Sequence, residues 1–428
     1  MANATAAAYP AYRPSDHEWI GDIPTEWEVT KLGACLKVVS EKNHPDLPLL
    51  SITREQGVIE RDVDDQESNH NFIPDDLSGY KLIKAGQFGM NKMKAWQGSY
   101  GVSRHTGIVS PAYFIFDFTK PIDPDFFHLA IRGKLYVSYF ASASDGVRIG
   151  QWDLSKPRMR EIPFVLPPIA QQREIVRFLN EKTAKIDDAI ALEERQIGLL
   201  KERKQIVIQS AVTKGLNPNA PMKDSGVDWI GEIPAHWGVF PLFSKTRIKS
   251  VSNCADRDLL SVYLDLGVVK FSDIDEKRTN ATSLDLSAYQ AVDPGDFVLN
   301  NQQAWRGSVG VSMHAGIVSP AYIVLSLSTD FDPAFANYYF RSPALVSHYL
   351  IGSKGVGTIQ RNLYWPKLRT TPISIPPMDE QIEIVEYIRA EVGKIDRAIA
   401  LKNDQIAALR EYKATLINSA VTGKIKVA

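Results

Sequence analysis

Two short segments at matching places in the chain carry side chains suited to directional polar contacts. The first is Asn91-Lys-Met-Lys-Ala-Trp96, and the second is Asn300-Asn-Gln-Gln-Ala-Trp305. Lysine can contact a phosphate or the O6 and N7 atoms of guanine, whereas asparagine and glutamine can form paired hydrogen bonds with adenine N6 and N7. These residue types favour base reading with different chemistry in each segment. A solvated turn is the alternative.

Further polar residues could contact DNA outside these segments. A repeated Gly-Val pair is followed by Arg148 and Gln151 in one copy and by Gln360 and Arg361 in the other, which predicts a second candidate loop. Basic residues elsewhere could bind phosphates, which positions a protein without reading sequence; an exposed lysine without a role is the alternative. The candidate DNA-binding residues are Arg54, Asn91, Lys92, Lys94, Arg104, Arg148, Gln151, Lys245, Arg247, Lys249, Asn301, Gln302, Gln303, Arg306, Gln360 and Arg361.

Catalytic motifs are incomplete in this sequence. Ser110-Pro-Ala-Tyr113 and Ser319-Pro-Ala-Tyr322 resemble the motif that holds a flipped adenine, but both lack its second proline. A strand followed by a glycine-rich turn for S-adenosylmethionine is also missing. Gly423-Lys424 lacks the earlier glycine and the Ser/Thr of a P-loop. We therefore expect no catalytic residues, with a stand-alone adenine methyltransferase as the alternative.

Metal sites and membrane segments are not indicated either. Cys35 and Cys254 are far apart and form no Cys-x-x-Cys pair, which fits a reduced cytoplasm and offers no zinc site. His105 and His314 occupy matching positions without a second ligand nearby, which favours structural hydrogen bonding. No apolar run approaches the roughly 20 residues of a membrane span, and the N-terminus lacks the parts of a signal peptide. We expect a cytoplasmic protein without metal or cofactor.

The chain contains a tandem duplication. Residues 80–113 and 289–322 share 19 of 34 aligned positions. Shorter motifs continue in step: Trp19-Ile-Gly-Asp-Ile-Pro24 with Trp229-Ile-Gly-Glu-Ile-Pro234, Pro167-Pro168 with Pro376-Pro377, and Ser210-Ala-Val-Thr213 with Ser419-Ala-Val-Thr422. Each half is therefore a globular unit followed by a distinctive tail.

The two copies differ in charge. The formal net charge of the chain is −1, so nucleic acid binding would need local positive charge. Residues 80–113 contain five basic residues and no acid, whereas residues 289–322 contain Arg306 as their only base, with Asp293 and Asp296. Such a difference is expected when two duplicated domains diverge toward different DNA targets.

Each tail is predicted to be a long helix. Proline is absent between Pro168 and Pro218 and again after Pro377, and good helix formers dominate. Seam positions at three-and-four spacing indicate a coiled coil; packing of each helix on its own domain is the alternative. The seam positions are Val176, Leu179, Thr183, Ile186, Ile190, Glu193, Ile197, Leu200, Lys204, Val207 and Ala211, and then Val385, Ile388, Val392, Ile395, Ile399, Lys402, Ile406, Leu409, Lys413, Leu416 and Ala420.

One polar residue in each seam could set the register of the helices. Glu193 and Lys402 occupy equivalent positions where the seam expects an apolar residue. In an antiparallel pair whose midpoints face each other, this acid would lie beside this base and fix the alignment.

The globular parts are expected to be α+β. Short apolar and β-branched runs predict strands at 107–109, 113–116 and 321–325, and one helix is predicted in each copy, near residues 125–139 and 333–349.

Five motifs recur in both copies and are spread along nearly the whole chain. They are Trp-Ile-Gly-(Asp/Glu)-Ile-Pro, Ala-Trp-x-Gly-Ser-x-Gly-Val-Ser, Gly-Ile-Val-Ser-Pro-Ala-Tyr, Pro-Pro followed by Gln-x-Glu-Ile-Val, and Ala-Val-Thr at the helix end. By these motifs the chain resembles the specificity subunits of type I restriction-modification systems. The motifs are specific to that family but not to one target sequence.

The resemblance implies two target-recognition domains, each reading one half of a split double-stranded DNA sequence. The paired helices would space these domains and dock two modification subunits, which carry the adenine methyltransferase activity, and motor-nuclease restriction subunits would join them. We expect an α+β fold with two tandem duplicated target-recognition domains joined by two long helices forming an antiparallel coiled coil. A coiled-coil scaffold without DNA is the alternative. The expected boundaries are 1–168 and 229–377 for the recognition domains, 169–214 and 378–428 for the spacer helices, and 215–228 for the linker.

Overall fold

The computed structural model describes residues 8–62, 73–148, 151–264, 266–274, 285–356 and 360–427. It divides into two units, Met1–Glu194 with Asn403–Ala428, and Arg195–Lys402. Each unit contains one globular domain and parts of both long helices, so the division falls within the helices. Among the described residues, no helix is both long and apolar enough to cross a membrane.

The first globular domain is rich in short strands. Its described strands are β1 Tyr12–Pro14, β2 Asp22–Pro24, β3 Glu28–Lys31, β4 Leu36–Val39, β5 Leu50–Thr53, β6 Gly57–Glu60, β7 Lys81–Ile83, β8 Phe88–Asn91, β9 Tyr100–Val102, β10 Gly107–Val109, β11 Tyr113–Phe118, β12 Ser144–Arg148, β13 Gln151–Leu154 and β14 Pro163–Leu166. Its helices are α1 Leu32–Cys35, α2 Pro124–Ile131, α3 Lys134–Ser142 and α4 Lys156–Glu161, with a 3-10 turn at Ala95–Gln97. The long helix α5, Ile169–Lys214, follows.

The second globular domain repeats this order. Its described strands are β15 Met222–Asp224, β16 Glu232–Pro234, β17 Gly238–Pro241, β18 Thr246–Ile248, β19 Leu260–Tyr263, β20 Gly267–Lys270, β21 Gln290–Val292, β22 Asp296–Asn300, β23 Val309–Val311, β24 Gly316–Val318, β25 Tyr322–Leu327, β26 Ser353–Val356, β27 Gln360–Leu363 and β28 Pro372–Ile375. Its helices are α6 Leu242–Lys245, α7 Pro333–Phe340, α8 Pro343–Ile351 and α9 Trp365–Leu368, with 3-10 turns at Phe271–Asp273 and Ala304–Arg306. The second long helix, α10, is Met378–Val421.

The two domains are built on the same sheet. Four antiparallel strands have the order β4-β11-β8-β9 in the first domain and β18-β25-β22-β23 in the second. The two-stranded ribbons β5–β6, β7–β10 and β12–β13 have counterparts in β19–β20, β21–β24 and β26–β27. The registers also agree, since Tyr113 pairs with Asn91 and Tyr322 pairs with Asn300. The duplication predicted from the sequence is therefore a duplication of fold.

The single helix predicted in each domain is wrong, because each region forms two helices. In the first domain α2 begins after Asp123, whose side chain accepts hydrogen bonds from the backbone N–H groups of Asp125 and Phe126. Gly133 then adopts an extended backbone and starts α3. In the second domain Ser342 is extended in the same way before α8. One extended residue in each copy ends the helical hydrogen bonding.

Each globular domain has its own core, which the end of a long helix completes. The first core buries Trp27 and Phe127 together with Ala420 and Val421 of α10. The second core buries Trp237 and Phe340 among other residues, together with Ala211 and Val212 of α5. The repeated Ala-Val-Thr motif therefore marks where a helix end packs into a domain.

The long helices form the predicted antiparallel coiled coil. Every predicted seam residue is buried or half-buried. In the first unit, Lys413 Nζ lies 2.6 Å from Asp187 Oδ2, and an Arg410 guanidinium nitrogen lies 3.0 Å from Glu194 Oε1. The residue number falls along one helix as it rises along the other, which is the antiparallel arrangement. The second unit contains a matching lysine–aspartate pair.

Glu193 and Lys402, the pair predicted to set the register, are both half-buried. Lys402 Nζ hydrogen-bonds to Gln196 Oε1 in the second unit. The register that sets Glu193 beside Lys402 stays a prediction.

Candidate nucleic-acid interface

The first candidate loop is a tight turn held from inside by Asn91. This residue ends β8 and is only 6% exposed. Its Oδ1 accepts the backbone N–H of Met93 at 3.2 Å, and its Nδ2 donates to Tyr113 Oη at 3.4 Å. Asn91 is therefore committed to shaping the loop, and we no longer place it among the base-reading candidates. Lys94 is exposed and Lys92 is half-buried.

The second copy builds the same turn with different exposed residues. Asn300 Oδ1 accepts the backbone N–H of Gln302 at 3.1 Å, and Asn300 Nδ2 lies 3.5 Å from Tyr322 Oη. Gln302 and Gln303 are exposed at the positions equivalent to Met93 and Lys94. The frame of the turn is thus shared, whereas the side chains that it presents are not.

The ribbon β12–β13 packs beside the first loop. The backbone N–H of Leu154 donates to the carbonyl oxygen of Lys92 at 3.1 Å, and Lys92 Nζ lies 3.1 Å from Asp153 Oδ2. The ring centres of Trp96 and Trp152 are 5.0 Å apart. The structure therefore joins the two candidate loops, which were predicted separately, into one surface.

The ribbon β26–β27 makes the equivalent contact in the second domain. The backbone N–H of Leu363 donates to both the carbonyl oxygen and the Oδ1 of Asn301, at 3.1 and 2.9 Å. The side-chain oxygen of Asn301 is thus occupied by the ribbon. Arg306 lies over the Trp305 ring at 4.8 Å, and Arg361 is exposed at the position equivalent to Trp152.

Three other candidates are known only by their backbone. Arg148 ends β12 and pairs in register with Gln151 of β13, and Gln360 begins β27. Their side chains lie outside the described residues.

Three predicted basic contacts remain on exposed surface. Arg54 occupies the turn between β5 and β6, whose carbonyl groups at Arg54 and Glu55 accept hydrogen bonds from Arg132 at 2.9 and 2.6 Å. Arg104 is 78% exposed and lies 3.5 Å from Asp125. Arg247 is exposed on β18. These side chains stay candidates for phosphate contacts.

Two predicted phosphate contacts are instead engaged within the second domain. Lys245 Nζ lies 2.9 Å from Asp330 Oδ2 and 4.1 Å from the centre of the Phe240 ring. Lys249 Nζ lies 2.7 and 2.5 Å from carboxylate oxygens of Asp293 and Asp296. The sequence did not show these partners, because they are brought close only by the fold. Lys245 and Lys249 stay predicted phosphate contacts, with acidic side chains of the same domain as competing partners.

The charge state of Lys249 is consistent with this internal role. Burial is the largest influence and by itself lowers the pKa of Lys249. The hydrogen bonds from Asp293 and Asp296 act in the opposite direction and, with their charges, raise the pKa above its ordinary value. To contact a phosphate, Lys249 would have to leave these two carboxylates.

The residues that resemble parts of enzyme motifs have structural roles in the described part of the chain. Tyr113 is hydrogen-bonded to Asn91, and burial raises the pKa of its phenol. Ser103 and Ser312 donate to the backbone carbonyl groups of His105 and His314, at 2.6 and 2.7 Å. The described residues contain no group of three or more His, Cys, Asp or Glu side chains that could hold a metal ion.

A group of lysines beside the first loop was missed from the sequence. Lys42 and Lys156 are outside residues 80–113 in the chain, yet the charges of both, like that of Lys92, lower the pKa of Lys81 in the fold. An alignment of the two copies beyond residues 80–113 and 289–322 would have pointed to these lysines. Their equivalents in the second copy, Ser252 and Trp365, are uncharged.

The chain is similar in sequence to curated specificity subunits along nearly its whole length. It is 23% identical over 432 residues to a Methanocaldococcus jannaschii protein assigned as the specificity subunit of the type I restriction enzyme MjaX, covering 95% of this chain and 96% of that protein. It is 24% identical over 431 residues to the type I restriction enzyme MjaVIII specificity subunit of the same organism, covering 95% and 94%. No family model matches the chain.

Two solved structures share its fold. One, described as the structural basis of complex assembly and conformational transition of the type I R-M system, has a TM-score of 0.64 at 15% identity and covers 93% of this chain and 98% of the other. The HsdS subunit from Thermoanaerobacter tengcongensis has a TM-score of 0.53 at 15% identity, with coverage of 96% and 100%.

These relatives confirm the resemblance found in the sequence. The chain is a homologue of curated type I specificity subunits, which supports a role in DNA sequence specificity. Because the relatives are specificity subunits, the prediction of a non-catalytic recognition subunit is confirmed on the same ground.

Proposed function

We propose that the chain reads a bipartite DNA target, with one half-site for each globular domain. The observation that carries this proposal is the loop and ribbon surface, which both domains build with the same backbone contacts but different side chains. A fold-holding residue is repeated at Asn91 and Asn300, whereas Lys94 is replaced by Gln303 and Trp152 by Arg361. Two surfaces with the same backbone and different donors suit two different short sequences.

Each surface offers chemistry for a different base. In the first domain, Lys92 and Lys94 suit guanine or phosphate, with Lys92 tethered to Asp153. In the second domain, the exposed amides of Gln302 and Gln303 suit adenine, and Asn301 contributes by fixing the ribbon. A half-site read by the first domain should therefore depend on lysine, and the other on glutamine.

The two long helices would dock the other subunits of the complex. We propose two modification subunits, which methylate adenine, and motor-nuclease subunits that join them. Support comes from the duplicated helices, which give two equivalent segments, and from the solved relative described in terms of type I complex assembly.

Co-expression with candidate modification subunits tests this proposal. Mapping of methylated adenines in cellular DNA is expected to give two half-sites separated by a fixed number of unspecified base pairs. Co-purification without any sequence-specific methylation would instead favour the coiled-coil scaffold.

Loop variants assign each half-site to its domain. Lys92→Ala with Lys94→Ala should weaken binding to cognate DNA at moderate salt, and Gln302→Ala with Gln303→Ala is the matched variant of the second domain. Each pair is expected to relax one half-site and leave the other intact, by about 1–3 kcal/mol per lost base contact. Unchanged cognate affinity in both pairs would show that these loops do not read DNA.

A further inference from the structure

Four lysines gather beside the reading loop of the first domain. This lysine cluster consists of Lys42, Lys81, Lys92 and Lys156. Lys81 Nζ donates to the carbonyl oxygen of Tyr113 at 2.6 Å, and Lys156 Nζ lies 4.1 Å from the centre of the ring of the next residue, Phe114. Lys81 and Lys156 therefore both reach the start of β11. The charges of Lys42 and Lys92 also act on Lys81 there.

The cluster is held together despite repulsion between its members. Burial first, and then the charges of Lys156, Lys42 and Lys92, lower the pKa of Lys81. Lys42 and Lys156 are exposed, and Lys92 is paired with Asp153. Like charges that act on one another oppose the compact state, and an anion bound among them relieves this repulsion.

The second domain has an uncharged groove at the same place. The residues equivalent to the cluster are Ser252, Gln290, Asn301 and Trp365. Gln290 Nε2 donates to the carbonyl oxygen of Tyr322 at 2.6 Å, which is the contact that Lys81 makes in the first domain. The groove has a volume of about 500 Å³ and is lined in part by Ser252, Gln290, Tyr322 and Trp365. The shared fold is therefore formed without the lysines.

We propose that the lysine cluster is a phosphate-binding anchor that ties the first domain to the DNA backbone. The second domain lacks the anchor, so the ionic part of DNA binding is carried mainly by the first. This inference rests on the proposed reading function, because Lys92 belongs to both the cluster and the reading loop. When the four ammonium groups neutralise DNA phosphates, the cations condensed on the DNA are released into solution and the repulsion among the lysines is relieved.

The salt dependence of binding tests the anchor. The assembled complex with its modification subunits is titrated with fluorescent duplex DNA, cognate and non-cognate, at a series of salt concentrations. The variant Lys42→Ser with Lys81→Gln gives the first domain residues that the second already uses. Each lost phosphate contact lowers the slope of log affinity against log salt by about 0.9, so the slope should fall by about two for both DNAs.

A reciprocal variant and a control sharpen the result. Ser252→Lys with Gln290→Lys should raise the slope by about the same amount in the second domain. Lys134→Ala removes an exposed lysine of the first domain outside the cluster and should leave the slope nearly unchanged.

Three results would overturn the anchor. The first is an unchanged slope in the cluster variant with cognate affinity retained. The second is an unchanged slope with loss of the modification subunits, which would mean that the lysines bind an acidic protein surface. The third is a wild-type complex without preference for its mapped site, which refutes the reading function itself and is recognised before any variant is made.

Discussion

Replacing Gln172 by leucine tests how a globular domain holds its long helix. Gln172 and its equivalent Gln381 are completely buried. Gln172 Oε1 accepts the backbone N–H of Asp123 at 2.8 Å, and its Nε2 donates to the carbonyl oxygens of Pro167 and Pro121 at 2.8 and 3.3 Å. Gln381 makes the three matching contacts in the second domain. The side-chain amide of Gln172 thus joins the first turn of α5 to Pro121 and Asp123, just before α2, and to Pro167, just after β14.

The magnitude follows from the groups that leucine leaves behind. Leucine keeps about the same size but offers no donor or acceptor. The N–H of Asp123 then loses its partner in a buried place, which costs about 1–3 kcal/mol. Each carbonyl loses a hydrogen bond with a net value of about 0.5–1.5 kcal/mol. The expected loss in free energy of unfolding is the sum of these contributions, about 2–6 kcal/mol, with about half from the orphaned N–H group.

Denaturant unfolding of the full chain, followed by tryptophan fluorescence, measures this loss. Gln172→Leu and Gln381→Leu should each lower the midpoint of the transition of their own domain. Gln209→Leu is the control, because Gln209 is exposed on the same helix as Gln172 and should change stability by less than about 0.5 kcal/mol. A loss of that small size in Gln172→Leu would refute the reasoning, since the three hydrogen bonds would then contribute nothing.

Two other variants test a buried histidine and the pairing of the helices. Burial and neighbouring arginines lower the pKa of His128 to about 4, so the unfolded chain, with an ordinary pKa near 6.5, binds the proton first. The contribution of neutral His128 to the free energy of unfolding is therefore fully present above pH 7. It decreases by up to about 3 kcal/mol as the pH falls toward 4. His128→Asn should remove this pH-dependent loss, because asparagine does not titrate. It should keep the hydrogen bond, since Asn337 accepts the equivalent backbone N–H in the second domain. If the variant and the wild-type chain lose the same stability between pH 7 and pH 4, His128 is not the cause of the loss. Asp187→Lys and Lys413→Asp should each lower the free energy of unfolding by about 0.2–1 kcal/mol, because each breaks this ion pair. The double variant exchanges the two charges and should recover most of that loss. If denaturant unfolding shows no coupling between the two changes, the pairing is wrong.

The sequence predicted best what depends on periodic spacing. The two seams were defined by residues three and four apart, and a helix brings such residues to one face whatever else the chain does. Ile186 and Ile395 are accordingly buried, and even Glu193 and Lys402 are half-buried at their seam positions. The duplication was equally accessible, because identical residues in identical order give the same strands and registers.

Contacts between distant segments were not accessible in this way. Lys249 was predicted to contact phosphate because it is basic, but the fold gives it Asp293 and Asp296 as partners. Lys156 was overlooked because it follows a ribbon, and nothing in the sequence around it shows that it reaches Phe114. Such partners are set by strand pairing and helix docking, which act over long stretches of chain.

The duplication itself separates residues that hold the fold from those that differ for another reason. A fold-holding role predicts that both copies keep the same contact, even when the residue changes. His128 and Asn337 meet this condition, because each accepts the backbone N–H of a strand residue. Lys42 does not meet it, because Ser252 replaces it without its charge while the surrounding strands keep their register. A residue whose side chain differs between the copies while the backbone stays the same is not needed to hold the fold, and it can contact a ligand. A difference in DNA target should therefore be determined by the exposed residues beside the two loops that differ between the copies.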